Sequence, residues 1–380
     1  MQPGKPLRVV HVTFRKVMTP GVRKQVSWER SASDRLTGVE WASVALHCGE
    51  PVEDFEKRVP IFLRPMFLRN FYAWLIVIRM ARTHDVVLLR HIAFDPFALI
   101  FAPFIRNRVS VHHSREWEEL PLIRPGLAGR LAGALERVTG KVAVRCTMGV
   151  LGVTNEIAQF QVNIRAPGKP AGLYANGIDL ETVAMVDDRR DAETVQVVFM
   201  SNTFNEWHGL DRLVDAVRRA PSIHERLVIH LIGKISKSQR ENIEALGDRA
   251  QVFSIHGFLE TQAYSTLLAQ ADAGLGSLAM DRQNLNEGAT LKVREMLGMG
   301  LPVFSGHTDT VLSTDFPFYL KVSQINIKEL EQFAREMKRH SRSEVRAAAT
   351  PFIEKSATMQ VAANWLKTLC SKNFRKSYTK

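Results

Sequence analysis

Cysteine is scarce in this chain. Cys48, Cys146 and Cys370 are spread over 380 residues, with no CxxC pair and no Cys/His spacing. That excludes a disulfide framework and a zinc ribbon, and it points to a reducing compartment. Long apolar runs are missing too. The longest, Phe71 to Ile78 between Arg69 and Arg79, falls far short of the roughly 20 residues that span a bilayer. The first residues, Met1 to Pro6, pass at once into a strand-like stretch without the charged-then-apolar order of a signal peptide. A cytoplasmic location is therefore expected. Acidic residues are the minority, 39 against 51 Lys and Arg, and the formal net charge is +12. Such a chain is drawn to polyanions. It has no RNP-like motif and no concentrated basic aromatic stripe, so nucleic acid is not an expected partner. Phosphorylated substrates and an anionic membrane surface, at the inner face of the cytoplasmic membrane, are the polyanions left. There is no solenoid-period repeat and no low-complexity segment.

What the chain does contain is alternation. Hydrophobic residues make up 45% of it, enough for a large core and, at this length, two domains or one large one. Strand-like stretches at 8–14, 39–46, 85–89, 109–113 and 149–153 are separated by helical ones at 65–82, 97–105, 127–145 and 156–161. Residues 21–36 read as a polar loop leading into a helix. The pattern starts again with strands at 195–200, 227–232, 252–255, 273–278 and 301–304, and helices at 209–219, 261–270 and 291–299. Short apolar strands alternating with helices predict parallel sheets covered on both faces. Two such series predict an α/β protein of two doubly wound, Rossmann-like domains facing a central cleft. The expected boundaries are 1–178, 179–352, and a C-terminal helix, 353–380, packing back on the first domain. Its basic tail, 372–380, is expected to fray.

In open parallel sheets ligands sit at the carboxyl ends of the strands. Polar or Gly clusters fall at such ends in Phe14-Arg15-Lys16, His112-His113-Ser114, Met200-Ser201-Asn202 and Gly233-Lys234. The fullest is Glu287-Gly288-Ala289-Thr290-Leu291-Lys292-Val293-Arg294-Glu295, followed by a buried strand from Leu301 to Ser305. Two carboxylates bracket a Gly-containing turn and the start of a helix, where unpaired N–H groups and the dipole favour a phosphate. Either carboxylate can then hydrogen-bond hydroxyls beside that phosphate. Gly21, after the first strand, permits close backbone approach to a ligand. The stretch from Arg64 to Arg82 mixes Phe67, Leu68, Phe71 and Trp74 with four arginines. It reads either as an anionic-bilayer contact or as a core helix of the first domain.

Five segments together resemble family 4 retaining glycosyltransferases, which have the two-Rossmann GT-B fold. Glu287 and Glu295 match that family's E-x7-E, with its Gly-Leu-Pro-Val strand after it. Ala175-Asn176-Gly177-Ile178-Asp179 matches the N-G-[IV]-D of the domain junction, and Val153 to Glu156 the turn before it. Phe199 to Leu213 aligns with the first strand, loop and helix of the donor domain, and His256-Gly257 with a later H-x-G-like stretch. The match covers more than half of the chain; the N-terminal part agrees only in pattern.

The resemblance implies an acceptor-side first domain and a nucleotide-sugar-binding second one. It places Glu287 at the donor sugar, Glu295 at the ribose, and the backbone of Gly288, Ala289, Thr290 and Leu291 at the diphosphate. His113 would stand near the sugar or assist the acceptor, with His112 as the alternative one register step away; either is equally readable as a structural strand-end histidine. The chain departs from the family where Asn202 replaces an Arg and His208 a Lys. Lys292 and Arg294 would compensate at the phosphates, unless they are plain surface cations. Gly21, Asn202, His208 and Gly233 complete the expected donor-binding set. The implied activity is transfer, with retention, from a UDP- or GDP-sugar to a lipid-linked or polysaccharide acceptor in bacterial surface glycan assembly. No metal and no permanently bound cofactor are implied. A nucleotide-sugar epimerase and a non-catalytic partner or regulatory protein are the alternatives.

Overall fold

The computed structural model describes residues 5–378 apart from 125, 224, 225 and 260. The chain divides into two compact units, Met1–Ala175 with Lys355–Lys380, and Asn176–Glu354. Both are α/β.

The first unit is built on seven parallel strands: β1 (Leu7–Phe14), β2 (Val39–His47), β3 (Glu56–Arg58), β4 (Val86–Arg90), β5 (Arg108–His112), β6 (Gly149–Gly152) and β7 (Ala171–Leu173). Their order is β3-β2-β1-β4-β5-β6-β7. The order reverses between β1 and β4, which is where a doubly wound sheet opens a crevice at its carboxyl edge. Six helices fall between the strands: α1 (Pro20–Ser33), α2 (Met66–Thr83), α3 (Phe97–Phe101), α4 (Glu116–Ile123), α5 (Leu127–Arg145) and α6 (Asn155–Arg165). Strands such as Val86-Val87-Leu88-Leu89 are buried throughout, as a sheet covered on both faces requires.

Residues 21–36, expected as a polar loop leading into a helix, are helical from the start, as α1 begins at Pro20. Thr19 accepts the N–H of Val22 as N-cap and Pro20 opens the first turn, a combination that starts a helix at once. Gly21 thus sits in a helical first turn. A Cβ there would meet no other atom of the chain within 4 Å.

The second unit carries β8 (Val195–Thr203), β9 (Leu227–Lys234), β10 (Phe253–Gly257), β11 (Ala273–Leu275), β12 (Glu287–Gly288), β13 (Val303–Ser305), β14 (Thr308–Asp309) and β15 (Tyr319–Lys321). Six form a parallel sheet ordered β10-β9-β8-β11-β13-β15, with its reversal between β8 and β11; β12 and β14 pair separately. Its helices are α7 (Leu210–Arg219), α8 (Lys237–Glu244), α9 (Thr261–Gln270), α10 (Leu291–Gly298), α11 (Ile327–Met337) and α12 (Arg342–Ile353). The sequence reading lacked β3, β7, β12, β14, β15, α8 and α11. The missed strands are two or three residues long, too short for a periodic signal.

The last helix, α13 (Lys355–Tyr378), belongs to the first unit. Met359, Ala362, Ala363, Leu366, Leu369 and Cys370 join one core cluster with Leu7, Val9, Val86, Leu88 and Val109. Helical backbone continues to Tyr378. The side chains of the tail expected to fray, and its last two residues, lie outside the described residues. Among the described residues no helix is long and apolar enough to cross a membrane.

Candidate functional site

In the second unit the loop before α10 is fastened from a distance. Asn176 donates its amide to the carbonyl of Ala289 at 2.8 Å, and Arg294 Nε donates to the carbonyl of Asn176 at 3.1 Å. Ile178 is fully buried against Gly298, where a Cβ would come within 2.7 Å of its methyl group. The Asn-Gly-Ile-Asp stretch is therefore the brace that holds the turn from Gly288 to Leu291 in place. Glycine is required at 288, because a Cβ would reach within 2.5 Å of the His307 ring.

This bracing leaves the start of α10 without the usual partners. Its N-cap, Thr290, makes no side-chain capping hydrogen bond. Thr290 Oγ1 and Lys292 Nζ are both buried and have no hydrogen-bond partner among the described residues. The Lys292 ammonium lies 5.1 Å from the centre of the Phe199 ring, and burial pushes its pKa down to about 7. A buried ammonium without an acceptor costs several kcal/mol, roughly, unless an anion joins it.

Lys292 lines a cavity of ≈ 350 Å³ together with Met200, Ser201, Asn202, Ile232, Gly233, Phe258, Leu259, Tyr264 and Glu295. The cavity opens at the ends of β8 and β9. Gly233 has φ +130°, and a Cβ there would sit 1.6 Å from the carbonyl oxygen of Ser201, so only glycine lets the two strand ends close up. Of the residues singled out from sequence, Asn202, Gly233, Lys292 and Glu295 are thus brought together. Phe258, Leu259 and Tyr264 were missed: they follow β10 in a loop and the start of α9, where apolar residues show no periodicity. A larger recess of ≈ 860 Å³, lined by Arg212, Asn286, Thr308 and Lys321 among others, contains none of the predicted residues.

Two expected phosphate ligands are corrected. Arg294 is fully buried and its guanidinium is held bidentately by Asp309 at 2.6 and 2.9 Å. It stands two residues from Lys292 and so on another side of the helix, where it builds structure. His208 is buried as well. Its Nδ1 accepts the N–H of Asn205 at 2.9 Å, which leaves the proton on Nε2, facing Ser201 Oγ at 3.2 Å. Burial, with the nearby Lys292 charge, brings its pKa down to about 3. It is a neutral capping residue with both nitrogens engaged, not a cation for a diphosphate. Glu287 is half-buried on β12 and accepts from Thr310 Oγ1 at 3.2 Å; it does not line the cavity.

In the first unit the two candidate histidines part company. His112 is fully buried. Its Nδ1 faces Glu116 at 2.8 Å and its Nε2 faces Ser110 Oγ at 2.9 Å, and its ring stacks on His91 at 4.5 Å. Glu116 also accepts from Gln161 at 2.7 Å. His91 meets Glu136 at 2.8 Å, and Arg165 reaches Glu136 at 2.8 Å and His91 at 3.2 Å. Burial lowers the His112 pKa to about 4. A catalytic role for His112 is therefore corrected to a structural one. His91, His112 and Glu116 bring ligand atoms within 4.8 Å of one another, as a metal site would. The Arg165 guanidinium already occupies that charge environment.

His113, just beyond the end of β5, lies among cations. Val12 pairs with Leu89 and Arg90 with Val111, so Thr13, Arg90 and Val111 are level across β1, β4 and β5. Arg15 and His113 each follow two residues later, at the reversal of the sheet. Burial first, then the charges of Arg90, His11, Arg15 and Lys355, hold the His113 pKa well below its ordinary value. Burial and the Arg15 charge bring Arg90 down to about 9. Sequence reasoning missed Arg90, whose strand-end position was the available signal.

Neither a protein-family model nor a curated protein matches the chain. Solved structures match in fold. The lipopolysaccharide outer core galactosyltransferase WaaB in its apo form aligns with a TM-score of 0.61 and 11% identity, over 95% of this chain and 100% of that one. A glycosyltransferase from Rickettsia africae aligns with a TM-score of 0.58 and 12% identity, over 96% and 99%. A Listeria monocytogenes structure described as a UDP-N-acetylglucosamine 2-epimerase aligns at 0.50 and 15% identity, over 98% and 97%. At these identities the likeness is one of fold: the chain has the GT-B fold of two Rossmann-like domains. The same fold serves transferase and epimerase, so chemistry has to be argued from the site.

Proposed function

We propose that this protein is a retaining glycosyltransferase that binds a nucleoside-diphosphate sugar in its second unit and passes the sugar to a hydroxyl of a lipid-linked or oligosaccharide acceptor. The observation that carries this is the buried, acceptor-less ammonium of Lys292 in a cavity at the start of α10. A diphosphate supplies the missing acceptor and also meets the N–H groups of that first turn. Glu295, on the same wall, suits the ribose hydroxyls. The apolar side made by Phe258, Leu259 and Tyr264 suits the base. Glu287, positioned by Thr310, is the carboxylate for sugar hydroxyls. As the glycosyl bond breaks, the leaving diphosphate gains negative charge, and fixed donors aimed at it lower the barrier. With Arg294 and His208 otherwise engaged, Lys292 and the α10 amides carry that task in this chain. We assign no metal and no permanent cofactor to the step.

The acceptor half of the proposal rests on the first unit taken by itself. Arg15, Arg90 and His113 gather at the crevice of its sheet, and such a group suits an acceptor that carries a phosphate. Calorimetric titration with UDP and with GDP tests the donor half: one of them binds, and Lys292→Met weakens that binding by about 2–4 kcal/mol. Failure of both to bind overturns the assignment. Product analysis separates transferase from epimerase, since an epimerase releases an altered sugar nucleotide without any acceptor.

A further inference from the structure

Two recesses open on the carboxyl edge of the second sheet, and the proposed function uses one of them. The Lys292 cavity lies at the ends of β8 and β9. The recess of ≈ 860 Å³ lies at the ends of β11, β13 and β15: Leu278, Gly306 and Val322 come after those strands in turn, and all line it. Helix α7 forms one side and the residues leading into α11 another. The recess shares no residue with the Lys292 cavity, and its volume falls within the roughly 300–1,000 Å³ of small-ligand sites.

Its walls are fixed. Arg212 on α7 donates to both Asp281 oxygens, at 2.8 and 2.6 Å, and to the Leu278 carbonyl at 3.2 Å. Arg282 pairs with Asp211 in the reverse sense. Two crossed ion pairs thus pin the 3-10 turn Met280–Gln283 to α7. On another wall the Thr308 N–H donates to the Asn286 carbonyl at 3.0 Å, extending the β12–β14 pairing. The floor is apolar: Leu278, Leu285, Val322 and Ile327 line it and are buried.

The rim carries mainly one sign of charge. The lining residues include three cations, Arg212, Arg219 and Lys321, and one carboxylate, Asp281, which Arg212 already neutralises. Arg219 donates its Nε to the Asp215 carbonyl at 3.2 Å, and neither Arg219 nor Lys321 has an ion-pair partner among the described residues. A cleft lined by one sign of charge concentrates counter-ions, and Arg and Lys hold phosphate oxygens through charge-assisted hydrogen bonds. Two uncommitted cations beside an apolar floor fit a short carbon skeleton with a phosphate at one end.

We propose that this recess is a second ligand site, for a small organic phosphate. The site does not depend on the sugar-nucleotide assignment; only its coupling to that site does. Asn286 and Thr308 line the recess, and the chain continues from Asn286 into Glu287 and Gly288. Thr310 donates its hydroxyl to Glu287 at 3.2 Å and its N–H to the Gly288 carbonyl at 3.1 Å. An occupant therefore bears on the strand pair that presents Glu287 and the turn before α10, and each ligand changes the affinity of the other.

Calorimetry on the full-length Lys292→Met variant, whose donor cavity has lost its cation, isolates the recess. Ribose 5-phosphate binds this variant, inorganic phosphate binds it more weakly, and ribose does not bind. Adding Lys321→Gln or Arg219→Gln weakens ribose 5-phosphate binding about tenfold, and salt weakens it as well. Circular dichroism melting is unchanged by either substitution, because both side chains are exposed. Absence of binding by both phosphates, ribose binding as well as its phosphate, or indifference to both substitutions overturns the site. Equal affinity for inorganic phosphate overturns the organic occupant. In the parent protein, ribose 5-phosphate shifts UDP or GDP affinity at least about fivefold; an unchanged affinity overturns the coupling. If neither nucleotide binds, the sugar-nucleotide assignment and the coupling fall together, and the Lys292→Met titrations still decide the recess.

Discussion

Two buried polar groups in this protein have opposite fates. Around His112, in the first unit, every imidazole and carboxylate has a partner; Arg165 Nε and Gln161 Oε1 are left without one among the described residues. Around Lys292, in the second unit, the ammonium and the Thr290 hydroxyl have none among the described residues. Both regions hold residues that a motif reading flags as chemical. A network that satisfies itself has its charge balance inside the fold and gains nothing from a ligand. A group that burial leaves unsatisfied transfers its cost to whatever binds. Satisfaction, more than residue type, separates framework from site.

That contrast can be broken at either end. Glu136→Ala strands Arg165, His91 and the Phe94 N–H. Chemical denaturation of this variant shows a loss of about 3–5 kcal/mol. Lys292→Met does the reverse. It removes an unpaired charge, so the ligand-free protein gains about 1–4 kcal/mol in the same measurement, while nucleoside-diphosphate affinity by calorimetry drops by about 2–4 kcal/mol. A variant less stable than the parent contradicts the idea that Lys292 is strained by burial. Glu295→Ala weakens the same binding by a smaller amount, about 1.5–3 kcal/mol, and leaves the Lys292 effect in place.

The mildest test uses pH. With its folded pKa near 7, Lys292 is protonated in the free protein only below that pH. The diphosphate binds the protonated form, so affinity is full below about pH 7 and falls by up to about tenfold per pH unit above it. The unfolded chain keeps the ordinary value of 10.5 and binds the extra proton between the two. The Lys292 contribution to stability therefore rises with pH over that window, opposite to affinity. Titrating the parent and Lys292→Met in parallel isolates both slopes.

Much of this was legible in the residues. The long strands and α2, α5, α7 and α10 follow from apolar period and caps. What the sequence hid was facing. Lys292 and Arg294 look equivalent on paper, but a spacing of two turns them to different sides of a helix, and the partner that claims Arg294 lies 15 residues further on. His112 ends β5 and His113 lies just beyond it, and only the surrounding elements decide which is enclosed. His208 was misjudged because Asn205 three residues earlier is a capping signal that went unread. The apolar wall of Phe258, Leu259 and Tyr264 carries no motif at all.

The placement of α13 has a temporal consequence. Residues from Met359 to Cys370 seal a hydrophobic layer whose other half comes from the first strands to be synthesised. Those strands leave the ribosome without their cover. All of 176–354 must be translated before it arrives, a wait on the order of 10–40 s at typical elongation rates. During that interval Leu7, Val9, Val86 and Val109 present bare sheet to the cell, so the nascent chain is a natural client for chaperones, and truncation upstream of Met359 yields aggregate instead of a smaller folded protein.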